Sequence, residues 1–463
     1  TSPLMPEPSG VRGRGERMHI YPVRYRFQED RFMGIKRMIS VILLIVFAVP
    51  AGAAAEEIIK KDELLTLQRC VEIALMKHPT ILAARNNVSA NRSRVGQAKS
   101  NYYPQIDASA NAARTSVGPR RSLGFETGST IYNSYSTGVS LTQNIYDFGK
   151  TGSQVDIQKY NLDASRSDLE TTTEEVLFSV KQAYYGVLEA KRNRDVAQET
   201  VKQFEQHLAQ ARGFYEVGTK PKYDVTKAEV DLSNAKLSLI KAENALKVSK
   251  VTLNNAMGVP DAPDYTIEDN LAFEKYEIPL PQAIETAYEN RPDLKSSVAI
   301  RKSFERSIDF AKTGYYPFLT GNAGYSYAGN DFPLARGWNI GATLTFPVFS
   351  GFLTKNQVEE AKANLGVAEA NEETLKQAIL LDVQQAYLNV LVAEDSISNT
   401  ELTVKQATEN LEIANGRYAA GVGNPIEVTD AEVSLANAKT AYNQALYDYK
   451  VARASLEKAM GVR

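Results

Sequence analysis

Apolar residues recur along most of this chain at helical spacing, and the longest such pattern occurs twice. After Gly149 and Gly351 it runs unbroken for about 65 residues, to Ala211 and Ala414, a rod of about 100 Å at a rise of about 1.5 Å per residue. Seven-residue steps mark the first rod at Leu162, Leu169, Val176, Ala183, Ala190, Ala197, Phe204 and Ala211, with Val180, Val187, Val201 and Leu208 four residues behind members of that series. The second rod keeps most of this register in Ala386, Ala393, Ala407 and Ala414, with Val383, Val390, Ile397, Val404 and Leu411. The pattern predicts coiled-coil packing, and the many alanines predict close helix contact. The rods turn at Phe214-Tyr215-Glu216-Val217-Gly218 and Arg417-Tyr418-Ala419-Ala420-Gly421. A return helix of about 35 residues then ends at Met257 and Met460. Glycine at each turn suits a left-handed helix C-cap.

At Pro104 the period changes from helical to two. Ile106, Ala108, Ala110 and Ala112 alternate with Gln105, Asp107, Ser109 and Asn111, and a second strand alternates Tyr135, Val139, Leu141 and Ile145 with Ser136, Gly138, Ser140, Thr142 and Asn144. The later half of the chain repeats this with Leu319, Ala323, Tyr325 and Tyr327, then with Trp338, Ile340, Ala342, Leu344, Phe346 and Val348. Two hairpins are predicted, at 104–146 and 317–349, with strands of about 10 to 14 residues, long enough to cross a bilayer at a tilt. Their polar faces carry almost no large apolar group and so face water. A half-exposed soluble sheet would alternate in the same way, but the aromatics argue against it. Tyr102, Tyr103, Tyr146 and Phe148, and again Tyr315, Tyr316, Phe349 and Phe352, gather where strands meet helices, as a membrane-interface girdle requires.

The doubling is a tandem duplication. Ala98 to Pro104 returns as Ala311 to Pro317, a shift of 213, and Ala228 to Lys236 returns as Ala431 to Lys439, a shift of 203. Each unit opens with a short helix, 67–77 or 280–290, broken at His78-Pro79 or Arg291-Pro292, and continues in a second helix of about 23 residues. The units are residues 56–260 and 279–463, joined by a linker at 261–278. That second helix and the return helix together match the rod in length, which predicts that they stack end to end beside it.

Composition narrows the function. A net charge of −2 over 463 residues gives no basic excess for nucleic acid. Cys70 is the lone cysteine, and His19, His78 and His207 are scattered, so neither a disulfide nor a zinc site is expected, and no cofactor is implied. No catalytic triad or phosphate loop occurs at a plausible site, so the chain does not read as an enzyme. Lys36 and Arg37 precede an apolar run from Met38 to Pro50 and then Ala51-Gly52-Ala53-Ala54-Ala55. This reads as a secretory signal at 33–55, against the competing reading of a membrane anchor, and residues 1–32 read as a non-native or disordered extension. No cysteine follows the signal, so lipidation is not expected. Beyond it no apolar run is long enough for a spanning helix, so entry into a membrane requires a barrel. Four strands cannot close one. Two chains would give eight strands and a filled bore, and three would give twelve and a channel. The rival architecture is a non-catalytic coiled-coil scaffold or trimeric surface adhesin, which predicts apolar residues on both strand faces or a single terminal barrel segment.

Over residues 62–462 the sequence resembles the TolC family of outer membrane efflux proteins. The doubled Tyr-Tyr-Pro junctions carry the resemblance, with the strand exits Ile145-Tyr146-Asp147-Phe148-Gly149 and Val348-Phe349-Ser350-Gly351. So do the turns Tyr215-x-x-Gly218 and Tyr418-x-x-Gly421, followed by Asp224-Val225 and Glu427-Val428. The resemblance implies a mainly α fold with a membrane β-barrel: a homotrimer whose twelve-stranded barrel lies in the outer membrane and continues into a helical periplasmic tunnel. It implies passive export, with a periplasmic adaptor and an inner-membrane pump or ABC transporter as partners. It places the periplasmic gate at Glu427 and Asp430 as acidic rings, or else these are acids that merely complement a helix N-terminus. It implies that Tyr418 and Asp224 form a hydrogen-bonded latch whose basic partner is replaced by Gly423. The adaptor-contacting tips fall at Val217, Gly218, Ala420 and Gly421. Arg120 and Arg121 in the first outer loop read as solvated charges. The cargo is left open.

Overall fold

A computed structural model describes residues 59–118, 120–122, 125–127 and 130–462; the signal and the N-terminal extension lie outside them. The elements run β1 (Leu64–Leu65), α1 (Leu67–Lys77), α2 (Pro79–Lys99), β2 (Gln105–Val117), β3 (Arg120–Ser122), β4 (Phe125–Thr127), β5 (Thr130–Tyr146), α3 (Lys150–Glu216) and α4 (Lys222–Met257). After β6 (Thr266–Ile267) follow α5 (Leu280–Asn290), α6 (Pro292–Lys312), β7 (Phe318–Gly329), β8 (Ala335–Thr345), α7 (Leu353–Ala419) and α8 (Pro425–Ala459).

The rods α3 and α7 are each 67 residues long and uninterrupted. The heptad positions face inward: Leu162, Val176, Val180, Ala183, Val187, Val201, Phe204, Leu208 and Ala211 are buried on α3, as are Val383, Ala386, Val390, Ala393, Ile397, Ala407, Leu411 and Ala414 on α7. α3 packs against α2, α4, α6 and α8, and α7 packs against α6 and α8. The two copies are joined along this seam by Lys181 to Glu457 at 2.7 Å, Lys439 to Glu199 at 2.7 Å, Asn443 donating to Asn193 at 2.9 Å, and Ser296 donating to Asp168 at 2.6 Å.

The shorter helices meet end to end. Gly258, which caps α4 at φ 74°, lies against the backbone of His78, where α1 breaks into α2; a Cβ on it would come within 2.8 Å of the His78 Cα. Gly461 repeats this at φ 68° against Arg291, with a Cβ 2.9 Å from that Cα. Proline at N1 starts both α2 and α6, as its fixed φ favours.

The segment 261–278, expected as a linker, is part of the core. Its β6 pairs in parallel with β1, and Tyr265, Ile267 and Leu271 are buried. The hydroxyls of Tyr184 and Tyr449, both buried, donate to its carbonyls at Glu268 and Glu274, at 2.7 Å and 2.6 Å. Cys70 sits in the same core, where burial pushes its thiol up to about 12 and leaves it unreactive at neutral pH.

Strands β2, β5, β7 and β8 form one antiparallel sheet in that order. Opposed residues share a face, so the register shows what each face carries. Ala108, Val139, Tyr325 and Trp338 form one row across the sheet, and Ile106, Leu141, Ala323 and Ile340 another. Alternating with them are the rows Asp107, Ser140, Gly324 and Asn339, and Ser109, Gly138, Ser326 and Gly337. The alternation departs from expectation at Ile145, where a bulge leaves that residue unpaired and sets Tyr146 opposite Leu319. β2 and β8 are each paired on one side only within the chain.

Candidate functional site: the strand–helix junction and the rod tips

At the junction, every aromatic picked out by the sequence is exposed. Tyr146 packs edge-on to Phe148 at 4.7 Å, Phe148 stacks on Tyr316 at 5.6 Å, and Phe349 meets Phe352 at 5.7 Å. Tyr102, Tyr103 and Tyr315 stand at the ends of α2 and α6, where a short 3-10 turn leads into each first strand. The second strand leaves through two left-handed residues in each copy, Phe148-Gly149 and Gly351-Phe352. A phenylalanine in that conformation is disfavoured by about 1–2 kcal/mol, so the fold holds these rings at the junction against a local cost. Among the described residues no helix is long and apolar enough to cross a membrane.

At the tips, Gly218 at φ 73° and Gly421 at φ 78° cap the rods as expected, with Val217, Ala420 and Val422 exposed beside them. The two turns close alike: Thr219 and Lys220 both donate to the Phe214 carbonyl, at 2.9 Å and 3.3 Å. Val422 and Gly423 both donate to the Arg417 carbonyl, at 3.1 Å and 2.9 Å. A Cβ on Gly423 would lie 2.7 Å from the Tyr418 nitrogen, so a side chain there requires the backbone to shift, although Lys220 holds the equivalent place in the first turn.

Glu427 and Asp430 are exposed on the first turns of α8, and Glu427 pairs with Arg417 at 3.3 Å. Tyr418 and Asp224 are both buried and come together, but the Tyr418 hydroxyl makes no hydrogen bond, so the expected link is not formed. The ring instead sits 5.2 Å from His207 and 5.5 Å from Phe214, under Lys220 at 5.7 Å. Burial, with the Asp224 charge, holds its hydroxyl above the usual range.

Sequence reasoning missed the groups just above. Asp231 on α4 accepts from Lys227 at 2.6 Å and from the Thr429 hydroxyl of α8 at 3.2 Å, tying the two return helices together. Glu432, one turn on from Thr429, is 3% exposed and its Oε2 has no partner. The available signal was a difference between the copies. Glu229 pairs with Arg212 at 2.8 Å, and their counterparts 203 residues on are Glu432 and Asn415. Arg120 and Arg121 lie on β3, which pairs with β4.

An amphipathic sheet that meets paired rods at a cluster of exposed aromatics is the arrangement of outer membrane channels with a helical extension. The chain belongs to the outer membrane efflux protein family, which it matches over residues 70–259 and 283–462. It is 23% identical over 443 residues to the outer membrane efflux protein BepC of Brucella suis, covering 93% of this chain and 91% of that one. It is 23% identical over 396 residues to the outer membrane protein TolC of Vibrio cholerae, covering 83% and 87%. Its fold matches the crystal structure of the outer membrane protein VceC of Vibrio cholerae with a TM-score of 0.72 at 18% identity, covering 86% and 96%.

Proposed function

We propose that three copies of this chain close head to tail into a twelve-stranded outer membrane barrel with a helical periplasmic tunnel. This ring is the passive exit duct of an efflux or secretion system. The observation that carries the reading is that the chain's free edges are duplicates of a joint it already makes. Inside the chain, rod α3 of the first copy packs on α6 and α8 of the second. Its counterpart α7 is left beside no equivalent partner, and α2 and α4 offer the equivalent surface. Tyr185 on α3 is buried beside Lys450 of α8, and its counterpart on α7, Leu388, is 59% exposed. Asn443 of α8 is buried, and its counterpart on α4, Ile240, is 61% exposed. The strands follow the same logic: β5 of the first copy pairs with β7 of the second, which leaves β8 to pair with β2 of the next chain. A head-to-tail contact of this kind builds a ring when its rotation closes. Three copies leave a lumen lined by the serine, asparagine and glycine rows, with Trp338 and Ile340 facing lipid.

A duct needs a source of cargo, so a periplasmic adaptor at the exposed tips and an inner-membrane pump or ABC transporter complete the system. Glu427 and Asp430 would set six carboxylates around the narrow periplasmic end, a field that attracts cations. Replacing both by alanine is expected to weaken divalent-ion block of single-channel current in planar bilayers about tenfold, the equivalent of about 1.4 kcal/mol. Unchanged block would remove both residues from the gate.

A further inference from the structure

The surface where the two return helices meet holds an unusual concentration of unsatisfied groups. Among the described residues, four buried side-chain polar atoms lack a hydrogen-bond partner, and three of them, His207 Nδ1, Tyr418 Oη and Glu432 Oε2, lie together here. Buried polar groups are nearly always paired, so such clustering marks a contact that is incomplete in its packed form. The duplication supplies an internal control. The carboxylate that meets Arg212 on the surface in the first copy is turned inward in the second, where asparagine stands in place of the arginine. There it faces Asp231, a second carboxylate. Two buried carboxylates in one contact repel when both are ionised, and one proton between them removes the repulsion.

We propose that Glu432 is a proton-controlled clasp between the two helix pairs of the tunnel wall: protonated, it lets α4 and α8 pack through Asp231 and Thr429, and ionised, it drives them apart. The inference rests on the duct reading and adds a control to its periplasmic end. The charged and titratable groups around the clasp are Asp224, Lys227 and Asp231 from α4, His207 from α3 and Tyr418 from α7. Lys227 is committed to Asp231 and does not neutralise Glu432.

The direction of the effect follows from two groups. Burial, helped by the Asp231 charge, raises Glu432 from its ordinary 4.5 to about 7. The packed seam therefore binds a proton that the parted seam releases, and its stability falls as pH rises between those values. Burial lowers His207 from 6.5, against the pull of Asp231 and Asp224, so its contribution builds up as pH rises through that value and is lost as pH falls. Up to about pH 7.5 the parted His207 is still losing its proton, which opposes the Glu432 effect by at most about twofold. Between about pH 6.5 and about pH 8 the ratio of packed to parted seam should fall about two- to fourfold.

The test is conductance of the purified full-length protein in planar bilayers across that range, with Glu432→Gln, which keeps the side chain's shape without its charge. The wild type should show conductance rising with pH, and Glu432→Gln should stay at the wild type's low-pH level throughout. Asp231→Asn should move the rise to lower pH. A rise that persists in Glu432→Gln, or a wild type that does not respond, overturns the clasp. Absence of channels at every pH overturns the duct reading instead. In that case amide exchange over residues 425–435 in detergent, corrected for intrinsic rate, decides the clasp alone: faster exchange at the higher pH in wild type only supports it, and equal pH dependence in both proteins overturns it.

Discussion

Leu388→Glu is expected to abolish assembly, leaving protein that runs as a single chain on size exclusion in detergent. Leu388 is 59% exposed in one chain, yet its counterpart Tyr185 is 9% exposed at the joint between the copies. If rod α7 meets α2 and α4 of a neighbour as α3 meets α6 and α8, then Leu388 becomes as buried as Tyr185. Glutamate there would enter the joint without a partner, a cost of several kcal/mol for each buried ion, repeated at all three joints of the ring. Leu388→Met, which preserves volume and polarity, should assemble normally. Normal assembly of the Leu388→Glu variant would mean that α7 faces solvent or lumen at this point.

The second large effect falls on the end-to-end helix joints. Gly258→Val should lower stability by about 2–5 kcal/mol, combining about 1–2 kcal/mol for a left-handed β-branched residue with about 1–3 kcal/mol for overlap against a backbone that must shift. The contact explains the size: a Cβ at Gly258 would meet the His78 Cα at 2.8 Å and its nitrogen at 3.1 Å. Gly218→Val provides the comparison, since Gly218 has nearly the same φ of 73° but nothing within 4 Å of its Cβ position. It should lose only the conformational part. Chemical denaturation of the two variants checks this, and equal losses would show that the Gly258 contact does not hold the stacked helices.

Most of this architecture was legible because it is periodic. The heptads of both rods mark the buried faces, the period of two marks the sheet, and Gly218 and Gly421 end the rods where the pattern breaks. Duplication strengthened each reading, since Gly258 and Gly461 make the same contact in both copies. What the sequence concealed depends on contacts without a period. The two-residue strands β1 and β6 are too short to show alternation, and Leu271 is buried because Tyr184 and Tyr449 tie down the backbone around it. The bulge at Ile145 breaks a pattern that looked continuous. At the rod tips the sequence brought Tyr418 and Asp224 to notice but not the state of the hydroxyl, because the ring packs on His207, Phe214 and Lys220, which are far from it in sequence. Glu432 escaped because an acid in an early turn of an exposed helix ordinarily faces water. Only the loss of its surface partner between copies, Arg212 to Asn415, hints that it turns inward.

In the proposed ring the chain completes itself only by closing on further copies of itself. Native mass spectrometry of the purified protein, released from detergent, tests this most directly. A single species with the mass of three chains is expected. A species of one chain, or an open series of sizes, would contradict it.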